Sequence, residues 1–387
     1  MKRWLTLAML LAFLPQTTTA LAAGPAVGAA SAILMDGDTG RVLWEKDAHT
    51  SRPIASITKL MTALVAVEST RDLSRKVTVK REWTLAEGSS IYLREGETLS
   101  LETLLYGLLL NSGNDSALAV AESCAGSVET FVEWMNRRAA DLGMKHTHFT
   151  NPSGLSEEGH YSSAYDMAML ARACLERSEL RLILGTRSIA LEGHSFANHN
   201  KLLWQYEGCI GLKTGYTQAA GRTLVSAAEH RGQTVICVTL DDPDDWKDHK
   251  ALMDYGFATH PRHILAKAKK TFRRVPVEGS LLRFVEVETS HDVFYPLREE
   301  ETVRAELLLP ERVTAPVKAG TVAGSLTFYL GEEEIGRTYL LYARNVEDHT
   351  ATPWSPFSIA LDLLRDKDRP LSALYPVSAA LGYILHK

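Results

Sequence analysis

The chain reads as an α+β protein built from two folded units, a mixed helix-and-strand unit followed by a small all-β unit. Three observations predict this. Apolar strand patterns open the first unit and return at its end, with apolar helical patterns between them. Composition changes near residue 266, where Lys267, Lys269, Lys270, Arg273 and Arg274 form a basic run that reads as a solvated hinge. From residue 277 to residue 347, strand follows strand with Gly or Pro turns.

The elements can be taken in order. Residues 1–23 read as a secretory signal: Lys2 and Arg3 precede an apolar core from Leu5 to Leu14, and small residues surround Ala20-Leu21-Ala22. Residues 24–266 form the first unit. Ala32 to Met35 and Arg41 to Trp44 flank Asp36-Gly37-Asp38-Thr39-Gly40 as a hairpin. An extended Arg52-Pro53 approach then becomes the apolar helix that carries Leu60, Met61, Leu64 and Val65, with Ser56 as its N-cap. A short strand is expected at Val77 to Val79. Ser100 caps a helical pattern that runs to Ala125 and is broken at Asn111-Ser112-Gly113-Asn114-Asp115. Helices are expected over Ser127–Leu142 and Tyr165–Leu175, with a polar loop between them. Strands follow at Ser188–Leu191, Cys209–Gly215, Arg222–Ala227 and Gln233–Leu240. The last two are joined by a hairpin turn at His230-Arg231-Gly232, and a helix from Asp248 to Phe257 closes the unit.

Residues 267–350 form the all-β unit, a sandwich by its strand pattern, with no catalytic cluster. Residues 351–387 are a tail in which Leu371 to Leu385 carries no formal charge. That stretch is interrupted by Pro376 and is too short to span a bilayer. An interfacial membrane segment, packing against the β unit and disorder are all open for it.

The chain has 387 residues, 45% of them hydrophobic and 23% charged, with a net charge of −5. That balance gives no reason to expect nucleic acid. Four cysteines, Cys124, Cys174, Cys209 and Cys237, sit in no Cys-x-x-Cys spacing and read as small buried residues. No His-Glu-x-x-His or clustered ligand set argues for a metal, and nothing in the pattern calls for a cofactor. His160 reads as a surface-loop histidine, and Asp166 as an aspartate at a helix N-terminus.

Taken alone, Ser56-Ile57-Thr58-Lys59 reads as a capped helix followed by a solvated lysine. It also places an amine one turn from a hydroxyl, and burial lowers a lysine pKa enough for it to accept a serine proton. Two further motifs follow in order, Ser112-Gly113-Asn114 and Lys213-Thr214-Gly215. Each is expected by chance in only about one chain in ten of this length. The three together, on a helix start, a helix break and a strand, favour the chemical reading.

This motif set resembles that of the low-molecular-mass penicillin-binding proteins, the D-alanyl-D-alanine carboxypeptidases. The likeness extends from Ala32 to about His260. It includes Leu34-Met35-Asp36, Arg52 to Ala63, Gly88-Ser89-Ser90, Asn151-Pro152-Ser153-Gly154-Leu155 and Gly211 to Thr217. The resemblance implies a β-lactamase/DD-peptidase-like domain: an antiparallel sheet flanked by helices, plus a mostly helical subdomain. It implies a serine carboxypeptidase acting on peptidoglycan stem peptides that end in D-Ala-D-Ala, trapped by β-lactams, exported, and working at the cell wall or the outer face of the cytoplasmic membrane. Within that likeness Ser56 is the nucleophile, Lys59 its base, and Ser112 a proton relay to the leaving nitrogen. Asn114 holds Lys59 and the substrate backbone. Lys213 and Thr214 hold the terminal carboxylate. Gly215 lets substrate lie along the strand, and the N–H groups of Ser56 and Tyr216 form the oxyanion site.

Where the family has an arginine after the last strand, this chain has Asp241-Asp242-Pro243-Asp244-Asp245-Trp246-Lys247, with Lys247 as the candidate replacement. A class A β-lactamase would need a catalytic glutamate in the loop after the middle motif. That loop here reads Asn151 to Glu158 without the expected acid followed by Leu-Asn. A DD-endopeptidase shares the chemistry and differs only in substrate. A wall-binding protein with a retired site is disfavoured because every motif residue is intact.

Overall fold

The computed structural model describes residues 24–349. The expected signal segment and the expected membrane-associating tail lie outside the described residues. Strand β1 (Ser31–Asp36) pairs with β2 (Val42–Lys46) as the opening hairpin. A 3-10 turn, Ala55–Thr58, leads into α1 (Lys59–Ser69). A small hairpin of β3 (Lys76–Thr78) and β4 (Thr98–Ser100) precedes α2 (Leu101–Leu110). The helices α3 (Asn114–Ala125), α4 (Val128–Asp141), α5 (Ala164–Leu175) and α6 (Ser178–Gly185) follow. Next come β5 (Ser188–Leu191), β6 (His194–Ala197) and the one-turn α7 (Leu202–Gln205). The unit ends with β7 (Cys209–Thr217), β8 (Gly221–His230), β9 (Gln233–Leu240) and α8 (Asp245–Thr259).

The main sheet is antiparallel, in the order β2-β1-β9-β8-β7. Its interior strands are buried on both faces because their side chains alternate between two cores. Ile33, Met35, Ile236 and Val238 join a large core with α1 to α6, while Ala32, Leu34, Val235 and Cys237 pack on the other face with Leu252 and Met253 of α8. The β8–β9 turn is Arg231-Gly232, with φ of +50° and +76°, the geometry of a two-residue hairpin loop.

Two expectations are corrected. Ser56 does not cap an α-helix: the α-helix starts at Lys59, and Ser56 lies inside the preceding 3-10 turn, where its side chain makes no capping bond. Ala55 takes φ +50°, outside the right-handed helical region, so the α-helix cannot extend back through it. The closing helix begins three residues before the expected Asp248, at Asp245.

The second unit takes up the chain at β10 (Arg262–Ala266), ahead of the basic run, because β10 pairs with β13 (Val293–Pro296). Between and beyond them lie β11 (Thr271–Glu278), β12 (Phe284–Thr289), β14 (Val303–Leu308), β15 (Val313–Thr314), β16 (Val322–Leu330) and β17 (Glu333–Tyr342). They form a six-stranded sheet in the order β14-β16-β17-β12-β11-β15. Two small clusters, around Phe328 and around Val287, make its core.

Candidate active site

Three segments far apart in sequence meet at the edge strand β7. The first is the turn before α1. Ala55 is a non-glycine residue in left-handed backbone, a conformation that costs roughly 1–2 kcal/mol. The surroundings hold it there: Thr223 Oγ1 on β8 donates to Ile54 O (3.0 Å), and Thr58 Oγ1 donates to Ala55 O (2.8 Å). The turn puts Ser56 and Lys59 on one side, with Lys59 Nζ 3.0 Å from Ser56 Oγ.

Lys59 is fully buried, and its amine also reaches Asn114 Oδ1 (2.7 Å) and the carbonyl of Ser153 (2.6 Å). Burial holds its pKa well below the ordinary lysine value. The charge of Lys213 pushes the same way, and Asp115 opposes both. A neutral amine fits these three contacts. In that state two N–H bonds can go to the two carbonyl oxygens, which leaves the lone pair for the Ser56 hydroxyl.

The second segment is the break between α2 and α3. Ser112 adopts φ +62°, and the chain restarts as a helix at Asn114. Asn114 is held on both sides, since its Nδ2 donates to Glu87 O (2.6 Å) while its carbonyl faces Lys59. One N–H of that amide remains for a ligand. Asp115, next in sequence, accepts from Ser90 Oγ (2.6 Å) and from the N–H groups of Ile91 and Leu93 (3.1 Å each), which pins the 87–93 loop over the helix start. The Ser112 hydroxyl makes no hydrogen bond to another described residue, so the structure brings Ser112 to the site's backbone turn without joining it to Ser56 or Lys59.

The third segment is β7. Lys213 is 1% exposed, and burial brings its pKa down to about 7. Thr214 is half-buried and Tyr216 is 69% exposed. Gly215 answers a close approach: a Cβ there would lie 2.9 Å from Ser56 N and 2.4 Å from Thr223 Oγ1. A side chain at this position would cover the Ser56 N–H. One edge of β7 pairs with β8, and the other faces the Ser56 turn with no strand on it among the described residues.

The acid-rich segment divides, with Asp241 and Asp244 exposed and the other acids inward. Asp242, Asp245 and Asp248 are buried; Asp245 accepts from Arg222 (2.6 Å), and Asp248 accepts from Gly28 N (2.5 Å). Lys247 lies exposed in the first turn of α8. Arg222 is paired in register with Tyr216 across β7 and β8, and its guanidinium lies over the Trp246 ring.

Sequence reasoning missed two participants. The Ser153 carbonyl is a backbone group and has no residue-type signature. His160, expected on a surface loop, is instead 6% exposed and bonded to Thr58 inside the first motif (2.8 Å). Asp166 stands in the first turn of α5, as expected, and accepts from His146 N and Thr147 Oγ1 (2.7 Å each).

Residues 17–244 match the peptidase S11 family, D-alanyl-D-alanine carboxypeptidase, and residues 262–348 match the penicillin-binding protein 5 C-terminal domain. The chain is 34% identical over 314 residues to the D-alanyl-D-alanine carboxypeptidase DacF of Bacillus subtilis, covering 77% of this chain and 80% of that one. It is 32% identical over 342 residues to DacC, the same kind of enzyme in Escherichia coli, covering 84% and 86%. Penicillin-binding protein 5 from Haemophilus influenzae superposes with a TM-score of 0.69 at 27% identity, covering 84% of this chain and 99% of that one. Penicillin-binding protein 3 from Streptococcus pneumoniae superposes at 0.72 with 26% identity, covering 83% and 100%. With both units matched in order on one fold, the chain belongs to the low-molecular-mass penicillin-binding proteins and is a serine-type D-alanyl-D-alanine carboxypeptidase.

Proposed function

We propose that the enzyme removes the terminal D-alanine from peptidoglycan stem pentapeptides through an acyl-enzyme on Ser56, and that β-lactams trap it at that stage. The observation that carries the reading is the buried Lys59 amine, which contacts Ser56 Oγ and is otherwise saturated by two carbonyl oxygens.

The steps follow from the groups at hand. Substrate lies along the open edge of β7 as an added strand. Protonated Lys213 and the Thr214 hydroxyl hold its terminal carboxylate, and the remaining N–H of Asn114 meets its backbone. Neutral Lys59 takes the Ser56 proton as Oγ attacks the carbonyl of the penultimate D-alanine. The N–H groups of Ser56 and Tyr216 receive the developing oxyanion, and each such donor is worth about 3–4 kcal/mol in comparable hydrolases. Ser112 Oγ–H gives its own proton to the leaving D-alanine nitrogen and takes up the one that Lys59 carries once bound substrate draws the two together. Water, deprotonated by Lys59, then releases the shortened peptide and restores Ser56.

Export to the cell wall or the outer face of the cytoplasmic membrane fits this substrate. Tail contact with a membrane is tested by deleting 354–387 and measuring co-sedimentation with membranes.

Two measurements test the reading. A fluorescent penicillin should label the protein stoichiometrically, and the Ser56→Ala variant should take no label. Mass analysis of pentapeptide muropeptides should show loss of one alanine. Intact pentapeptides with cleaved cross-linked dimers would replace carboxypeptidase with endopeptidase, and an unlabelled parent protein would remove the acyl-enzyme.

A further inference from the structure

His160 comes from the polar loop between α4 and α5, far in sequence from the first motif, yet it is buried against it. Its hydrogen bonds fix its tautomer. Nδ1 lies 3.1 Å from Thr150 N and 3.2 Å from Thr150 Oγ1, which itself donates to Glu157 Oε2; the backbone N–H can only donate, so Nδ1 is assigned as the acceptor and the proton to Nε2. Nε2 is 2.8 Å from Thr58 Oγ1, and the Thr58 hydroxyl is already committed as a donor to Ala55 O at 2.8 Å. The chain therefore has one direction: Thr150 N–H to His160 Nδ1, His160 Nε2–H to Thr58 Oγ1, and Thr58 O–H to the Ala55 carbonyl.

The end of that chain is where it matters. The Ala55 carbonyl and the Ser56 N–H belong to one peptide plane. Whatever fixes the oxygen fixes the direction of the N–H on the opposite side. The plane follows Ala55, whose φ of +50° is not a resting conformation for alanine. Gly154, from the same loop as His160, packs so closely on the Ala55 carbonyl that a Cβ there would lie 2.0 Å from the oxygen. A donor chain ending on a carbonyl also polarises its peptide and makes the N–H a stronger donor.

We propose that His160, acting through Thr58, is a positioning residue that orients and polarises the Ala55–Ser56 peptide, so that the Ser56 N–H meets the oxyanion of the acylation transition state. The proposal rests on the acyl-transfer reading above. His160 touches neither substrate nor Ser56 Oγ. It acts on a group needed chiefly once charge develops on the substrate oxygen, so its removal slows acylation and leaves ground-state binding largely intact.

The surroundings keep the imidazole neutral. Burial brings its pKa down to about 4, with Glu157 opposing and His148 and Lys59 adding to the shift. The Phe149 ring packs edge-on against it at 5.8 Å. A second proton on Nδ1 would face the Thr150 N–H.

The test is the concentration dependence of acylation by a fluorescent penicillin, which separates the half-saturating concentration from the limiting rate. His160→Ala should lower the limiting rate by about 10-fold or more and move half-saturation by less than about 3-fold. His160→Gln carries an amide N–H that can replace the Nε2 donor, and it should recover to within about 3-fold of the parent. Thr58→Val should behave like His160→Ala, and Thr58→Ser like the parent. This pair carries the test should His160→Ala not fold. Parental limiting rates in His160→Ala and Thr58→Val would overturn the proposal. So would a loss confined to half-saturation, or a glutamine variant no better than alanine. A parent that takes no label removes the acyl-transfer reading itself, whereas a labelled parent with unaffected variants removes only the role of His160.

Discussion

Two lysines share this site, and their charges decide when it works. Lys59 must be neutral to accept a proton, and Lys213 must be charged to hold a carboxylate. Both are buried, and Lys213 is among the charges that depress Lys59. In the free enzyme Lys213 loses its proton as pH rises through about 7. The ratio kcat/KM reports the free enzyme, so for a D-Ala-D-Ala peptide it should fall as pH rises above that point. Lys213→Arg keeps its charge, and its alkaline limb should move beyond pH 9 or so, at reduced maximal rate. A parent profile flat across that range would show that Lys213 does not titrate there. The same burial affects stability. The unfolded chain binds more protons at this residue between pH about 7 and the ordinary 10.5, so stability rises with pH across that window. Below the window the penalty is complete, on the order of 4–5 kcal/mol. Lys213→Met should therefore melt above the parent at pH 7 while losing activity, and calorimetry should show the gap closing toward pH 10. The residue types at these positions were readable from motif spacing, because a hydroxyl and an amine one turn apart have a recognisable pattern. The groups that hold them were not readable. Ser153 contributes only a carbonyl, and His160 lies 102 positions from Thr58.

At the scale of elements, the site depends on the 151–160 loop closing over the 55–58 turn. Asn151 Oδ1 accepts from the N–H groups of Ser153 (3.2 Å) and Gly154 (2.8 Å), which folds the loop on itself. The folded loop delivers the Ser153 carbonyl to Lys59 and the Gly154 backbone to Ala55. Gly154 has φ +83°, and an added methyl would meet both the Ala55 carbonyl and Thr58 Oγ1 (2.8 Å). Gly154→Ala should therefore lift the loop, free one acceptor from Lys59 and slow penicillin acylation by about 100-fold, with stability lower by about 2 kcal/mol. Acylation at the parental rate would mean the loop is not needed to seat the amine. The regular elements were legible because their periodicity is strong. β1, β9, α2, α4 and α5 stand within a few residues of their expected places. The short α6, β6 and α7 were not legible, since pieces of four to eight residues carry too few periodic positions. The turn at Ser56 looked like a helix cap because a serine before an apolar helix usually is one. Only the left-handed Ala55 separates the two cases, and alanine gives no warning of it.

At the scale of the molecule, the sheet holds catalysis and attachment at different places. β7 is one edge and carries Lys213 and Gly215; β2 is the other, four strands away. At about 4.8 Å per strand, the two edges lie roughly 19 Å apart. The all-β unit is tied to turns at one end of the sheet, the β1–β2 turn and the β8–β9 turn, where Arg262 donates to Gly232 O and Gln233 to His260 O. Arg41, at the foot of the β1–β2 hairpin, donates to Glu301 Oε2 (2.9 Å) and to the Pro296 carbonyl (2.5 Å), and pairs with Glu301 through its second nitrogen as well. Its guanidinium also faces the Tyr295 ring, and Arg298 Nε reaches His260 Nε2 at the join between the units (2.8 Å). The Arg41 and Glu301 side chains are 14% and 19% exposed, so losing the arginine leaves a largely buried carboxylate and an unmet carbonyl. Arg41→Ala should lower the stability of the junction by about 1–3 kcal/mol. Limited proteolysis between His260 and Arg262 should accelerate, and a separate lower-melting transition for the all-β unit should appear in calorimetry. Penicillin labelling of Ser56 should stay within about twofold of the parent, since the junction bonds reach the 36–41 and 232–233 turns rather than the 55–58 turn or β7, and distant sites act nearly independently. A parallel loss of labelling would show that the all-β unit acts on the β7 edge through the sheet, and the two units would then have to be treated as one catalytic body.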